Sequence, residues 1–167
     1  MRIAVQVEPG VDSPPDVEYR WDSDTDILSA RLSTAAQIEG TPGSLEVAGD
    51  DGSWLIIDLT AGRINGVEVA VWPDVRKRAI LEPPAPSQEG RAVVRAATSA
   101  GSVPALEMST EVLAEADPAQ RTIHFKLGES RRARTLRLGR DLLLDLDAQS
   151  RLAGLWLLNV PPFPPDA

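Results

Sequence analysis

The sequence predicts a mainly β protein made of two homologous small antiparallel units, packed together and related by a pseudo-twofold axis. Three observations carry that expectation. Apolar stretches are short and bounded by Gly, Pro, Asn and Asp, the punctuation of strands and tight turns. One stretch occurs twice: Ser53-Trp54-Leu55-Ile56-Ile57-Asp58-Leu59-Thr60-Ala61-Gly62-Arg63-Ile64-Asn65-Gly66-Val67 follows the plan of residues 141–158, with Asp58 matching Asp145, Arg63 matching Arg151 and Gly66 matching Gly154. Between the two lies Glu82-Pro83-Pro84-Ala85-Pro86-Ser87-Gln88-Glu89-Gly90, whose prolines favour extended chain and remove backbone donors. The expected division is a first unit at 1–81, a linker at 82–90, a second unit at 91–160 and a Pro-rich tail at 161–167.

Residues 2–7 alternate apolar and polar and end at Glu8-Pro9-Gly10, a strand and a turn. Residues 17–21 and 27–32 flank Asp22-Ser23-Asp24-Thr25-Asp26, whose short side chains suit a hairpin turn. A weak region to Gly43 precedes a short strand at 44–47. Trp54-Leu55-Ile56-Ile57 is apolar at consecutive positions, which predicts a strand covered on both faces. Residues 64–72 return as its partner, and residues 73–78 leave the sheet.

The second unit restarts likewise. Arg91-Ala92-Val93-Val94-Arg95-Ala96 echoes Arg2-Ile3-Ala4-Val5-Gln6-Val7. Residues 105–115 hold good helix formers and read either as helix or as strand; the repeat, which sets 112–116 against 17–21, favours strand. Asp117-Pro118-Ala119-Gln120 takes the place of the acidic turn, and residues 122–127 that of 27–32. In the tail, Phe163 is the one expected anchor.

Composition bounds the function. A chain of 167 residues with 43% hydrophobic and 25% charged residues can bury a real core. It has no cysteine, which excludes disulfides, thiolate metal sites and cysteine nucleophiles. No apolar run approaches the ~20 residues of a membrane span and no secretory leader is evident, so no membrane partner and a cytoplasmic setting are expected. A net charge of -8 argues against nucleic acid as partner. The deficit lies in the first half: residues 1–84 carry 7 basic and 15 acidic side chains, residues 85–167 ten of each. Arginines of the second half are therefore expected to face carboxylates of the first.

Trp21-Asp22-Ser23-Asp24-Thr25-Asp26-Ile27-Leu28-Ser29-Ala30-Arg31-Leu32 resembles the opening of a family of small bacterial domains, domain-of-unknown-function family 2283. Residues 144–158, with Leu-Asp-Leu-Asp, a polar turn and Arg-Leu-Ala-Gly, resemble its ending. The likeness covers residues 17–72 and 112–160, and each half keeps one good piece: Thr60 lacks the second Asp, while Arg121 and Ala116 replace Asp26 and Trp21. The resemblance implies a compact β-rich fold and brings no active site.

Few constellations suggest chemistry. Asp22, Asp24 and Asp26 have the spacing of a calcium loop, but Ile27 stands where Gly belongs and Ser33 where the bidentate Glu belongs, so a hairpin turn is the better reading. Asp58, Asp145 and Asp147 could form acid/base pairs; strand-end aspartates bonded to backbone amides explain them better. His124 is the only histidine, expected on the polar face of a strand. Arg131, Arg132, Arg134, Arg137 and Arg140 read as a charged edge strand or an anion patch, and Trp21, Trp54, Trp72 and Trp156 as core. No cofactor, metal or catalytic residue is predicted. The expected function is a non-catalytic protein-binding or scaffold module, as the acidic neutralising partner of a basic protein, with partner contacts at Asp22, Asp24, Asp26, Arg131, Arg132 and Arg134. The alternative is a small hydrolase using Asp58 and Asp145 in one concave pocket.

Overall fold

The computed structural model describes residues 3–10, 13–95, 105–119, 121–129 and 131–162. The protein is mainly β. Its strands are β1 (Val5–Pro9), β2 (Val17–Asp22), β3 (Ile27–Leu32), β4 (Pro42–Gly49), β5 (Trp54–Thr60), β6 (Arg63–Val71), β7 (Val75–Lys77), β8 (Gln88–Val94), β9 (Ala105–Thr110), β10 (Val112–Asp117), β11 (Thr122–Leu127), β12 (Arg134–Gly139), β13 (Leu142–Leu146) and β14 (Leu152–Leu157). One 3-10 turn, Ala35–Gln37, occupies the weak region before β4.

The strands form one continuous fourteen-stranded sheet with two ladders. The first runs β2-β3-β6-β5-β4 and the second β10-β11-β14-β13-β12, all antiparallel. Parallel strands extend three of the edges: β9 on β4, β8 on β12 and β7 on β10. The ladders are joined through β8, which pairs with β12, with β6 at Arg63 opposite Val93, and with β1, Val5 opposite Val94. There the Val94 amide donates to Gly62 O and the Val5 amide to Ser150 O, both at 2.8 Å.

The turns follow from local chemistry. Asp22 accepts the Asp24 amide at 3.0 Å and Asp117 accepts the Ala119 amide at 3.1 Å, which caps each hairpin turn. Asp26 and Arg121 close the turns at φ 61° and 54°. Inner-face side chains of both ladders, among them Leu28, Leu45, Ile57, Val69, Phe125, Leu136, Leu144 and Leu155, belong to one buried cluster. The sheet thus curls back so that its two ladders share a core.

Residues 105–110 and 112–117 are strands, as the sequence favoured, with β9 pairing with β4 and β10 with β11. Several other expectations need correction. Residues 75–77 do not leave the sheet; they pair with β10. The last three residues of the expected 82–90 linker already belong to β8. The β5 strand is not covered on both faces: Leu55, Ile57 and Leu59 are buried, whereas Trp54 is 38% exposed and Ile56 half-buried. Two-sided burial occurs in β13 and β14 instead, where every residue is buried. Of the ion pairs joining the two halves, Arg140–Asp16 at 3.2 Å runs in the expected sense and Arg78–Glu115 at 3.0 Å in the opposite one. Both are exposed enough for solvent to screen them. The Phe163 anchor lies outside the described residues.

Candidate functional site

The outer face of each ladder, turned away from the shared core, carries its polar side chains, and the two faces differ. On the second, Asp145 projects outward from β13 and is 2% exposed. Its Oδ1 accepts Thr135 Oγ1 from β12, and its Oδ2 accepts Trp156 Nε1 from β14, each at 3.0 Å. His124 Nε2 on β11 lies 3.0 Å from the same Oδ2. The imidazole stacks on the Trp156 indole, centroids 4.0 Å apart. Glycine is required at Gly154, since a Cβ there would sit 2.7 Å from Phe125 O and 3.0 Å from Asp145 Oδ2.

Leu143 and Trp156, at 0% and 3% exposure, are buried although they lie outside the shared core cluster. The segment between β7 and β8 accounts for that. It leaves β10 where the Leu81 amide donates to Asp117 Oδ2 at 3.3 Å, and reaches β12 where the Ser87 amide donates to Thr135 O at 3.0 Å. Those anchors stand on the two outermost strands of the antiparallel ladder, so residues 82–86 cross its outer face as a strap. Prolines suit a strap, because a crossing chain finds no ladder partner for its backbone donors.

The first ladder has the same register, and among the described residues no strap crosses it. Asp58 faces Ser44 and Gly66 as Asp145 faces Thr135 and Gly154. In the rows beside them, Ile56, Glu68 and Ser29 stand where Leu143, Trp156 and His124 stand on the second. Asp58 and Glu68 are only half-buried. Burial pushes the Asp58 carboxyl above its ordinary range, with Arg31 partly opposing. Burial and then the Asp58 charge push Glu68 up as well. Glu46 lies on the same face, as does the exposed Glu107 of β9, and Trp54 supplies an exposed ring.

The residues singled out from sequence are dispersed. Asp22, Asp24 and Asp26 are exposed at the β2–β3 turn, and among the described residues no group of three or more acidic or histidine side chains could hold a metal ion. Arg131 and Arg132 are exposed before β12, whereas Arg134 donates to Ser150 Oγ at 2.6 Å and to Gln88 Oε1 at 3.4 Å. No ion pair joins the two sets among the described residues. Asp147 behaves as a strand-end aspartate should: burial opposes its ionisation, but the Arg151 and Gln149 amides and the Arg151 guanidinium hold it below its usual value. Asp145 does not; its partners are side chains from three other strands. His124 is half-buried rather than on an open polar face.

A cavity of about 430 Å³ opens between the β1–β2 loop, the 3-10 turn and β12, with Arg63, Arg91 and Arg137 set among Glu39 and Glu89. Neither Asp58 nor Asp145 lines it. No helix among the described residues is long and apolar enough to cross a membrane. Compared with protein-family models and with curated proteins, the sequence matches none.

Proposed function

We propose that the chain is a non-catalytic protein-binding module whose docking surface is the uncovered outer face of the first ladder, around Trp54, Ile56, Glu46, Asp58 and Glu68. Its partner is a basic cytoplasmic protein, which the acidic face neutralises. The observation that carries this reading is the contrast in cover: among the described residues no segment crosses the half-buried apolar centre and its ring of carboxylates, whereas residues 82–86 cross the other ladder. Apolar anchors within a charged rim are the anatomy of a protein interface. The hydrolase alternative has less support, because Asp58 and Asp145 stand on different ladders and outside the cavity.

The scaffold behind this face is read as one β unit duplicated, 1–81 and 91–160, in the manner of the family that residues 17–72 and 112–160 resemble. Matched strand orders support it, and so does Val5 pairing with Val94, its counterpart in the sequence repeat.

Affinity capture from a cell extract by the wild-type chain, Trp54→Glu and Asp58→Lys tests the reading. A basic protein retained by the wild type and lost by both variants supports it. A partner held equally by all three places the interface elsewhere.

A further inference from the structure

The strap on the second ladder indicates what kind of chain the first ladder takes. Resting on the docking face proposed above, we infer that the occupant is an extended, proline-containing segment of the partner that crosses β2, β3, β6, β5 and β4 diagonally and sets a lysine or arginine over Glu68 and Asp58.

The geometry is drawn from the molecule itself. Residues 82–86 span the second ladder between the Leu81–Asp117 and Ser87–Thr135 bonds. Five strands spaced ~4.8 Å apart measure roughly 19 Å across. Six residues of polyproline chain, at ~3.1 Å each, cover that distance. Beneath lie Leu143, Trp156 and His124, one per strand, and the first ladder offers Ile56, Glu68 and Ser29 at the same crossing.

The anchor points recur too. Asp117 spends Oδ1 on the Ala119 amide and Oδ2 on the strap; Asp22 spends Oδ1 on the Asp24 amide, and its side chain is exposed. Charge separates the two faces. Where the strap covers the neutral Trp156, the first ladder presents Glu68 next to Asp58, with Glu46 and Glu107 beyond and Arg31 as the nearby cation. A cationic side chain in mid-crossing relieves two carboxylates that the fold leaves crowded and half-desolvated. A folded basic surface would meet the rim charges, but it is poorly shaped for a shallow diagonal track.

The test uses two synthetic peptides and the full chain. One peptide copies residues 76–88; the other is the same with Ala85→Lys, in mid-crossing. Indole and amide NMR signals are followed during titration. The lysine peptide is expected to shift Trp54, Ile56 and Glu68, to bind about tenfold tighter than the unmodified copy, and to lose about fivefold with Glu68→Gln, as one half-buried charge pair at roughly 1 kcal/mol requires. Shifts confined to Trp156 and its neighbours would mean displacement of the protein's own strap and overturn the inference, as would no shift at millimolar peptide. If capture of a folded basic protein still depends on Trp54 while the peptides fail, the docking face stands and the extended occupant falls. If Trp54→Glu changes neither readout, both fall.

Discussion

Asp145 and Asp58 occupy one position in two ladders of the same register, and their surroundings have diverged. Around Asp145 each carboxylate oxygen has a donor, the glycine opposite makes room, and a strap excludes water. Around Asp58 a glycine is also present, at Gly66, but serine and glutamate stand where threonine, histidine and tryptophan do, and no segment among the described residues crosses. A carboxylate at this point in the ladder can therefore be fully bonded and buried, as Asp145 is, or half-buried, as Asp58 is. Cover and partners decide which.

The largest test of that contrast is removal of each carboxylate. Asp145→Ala strands the donors of Thr135 and the buried Trp156, takes away the partner of the half-buried His124, and should cost about 3–5 kcal/mol in urea unfolding. Asp58→Ala should stay within ~0.5 kcal/mol of wild type. A similar loss at both sites would mean that the open face is a sealed site in disguise. Next come the glycines. Gly154→Ala and Gly66→Ala bring a methyl to 2.7 and 2.8 Å from the backbone carbonyls of Phe125 and Ala30, so each should lose about 1–3 kcal/mol. Equal losses here, beside unequal ones at the aspartates, would show that the backbone frame is shared while the side-chain chemistry is not.

Loosening the strap has a smaller effect. Pro84→Gly should cost ~0.5–1 kcal/mol through the freer unfolded chain and should red-shift the Trp156 emission, an indole now buried. The smallest effect is electrostatic and has a definite sign. The folded chain holds a proton on Asp58 more tightly than the unfolded chain does, so its charge lowers stability as pH rises from the unfolded value through the folded one. Asp58→Asn should thus gain ~0.5 kcal/mol at pH 7, with the gain shrinking toward pH 4. Asp147 has the opposite sign. Its contribution is complete above its ordinary value and fades as acid passes through the lowered folded value. A pH-independent difference between Asp58→Asn and wild type would contradict the burial assigned to that carboxyl.

The strands and turns were legible in the sequence because they are written in local signals: alternating apolar positions, Asp at the turns, and Gly66 and Gly154 placed eight residues after Asp58 and nine after Asp145. The divergence between faces was not. Trp54-Leu55-Ile56-Ile57 and Leu142-Leu143-Leu144 read alike as apolar runs, and only the strap, some sixty residues upstream of β13, decides which is buried on both sides. The partners of Asp145 were hidden for a related reason. His124, Thr135 and Trp156 converge through strand register, which no spacing along the chain announces. The proline stretch looked like a joint between domains; in the fold it is also a cover.

The two parallel edge strands, β7 and β9, bear on how the chain is made. Residues 105–110 finish the border of a ladder begun before residue 50, and residues 75–77 wait for β10. During synthesis the leading half therefore emerges with an unpaired border and cannot complete its hydrogen bonding until most of the message has been translated. Such late closure slows folding and leaves the nascent chain in need of protection from aggregation on the ribosome.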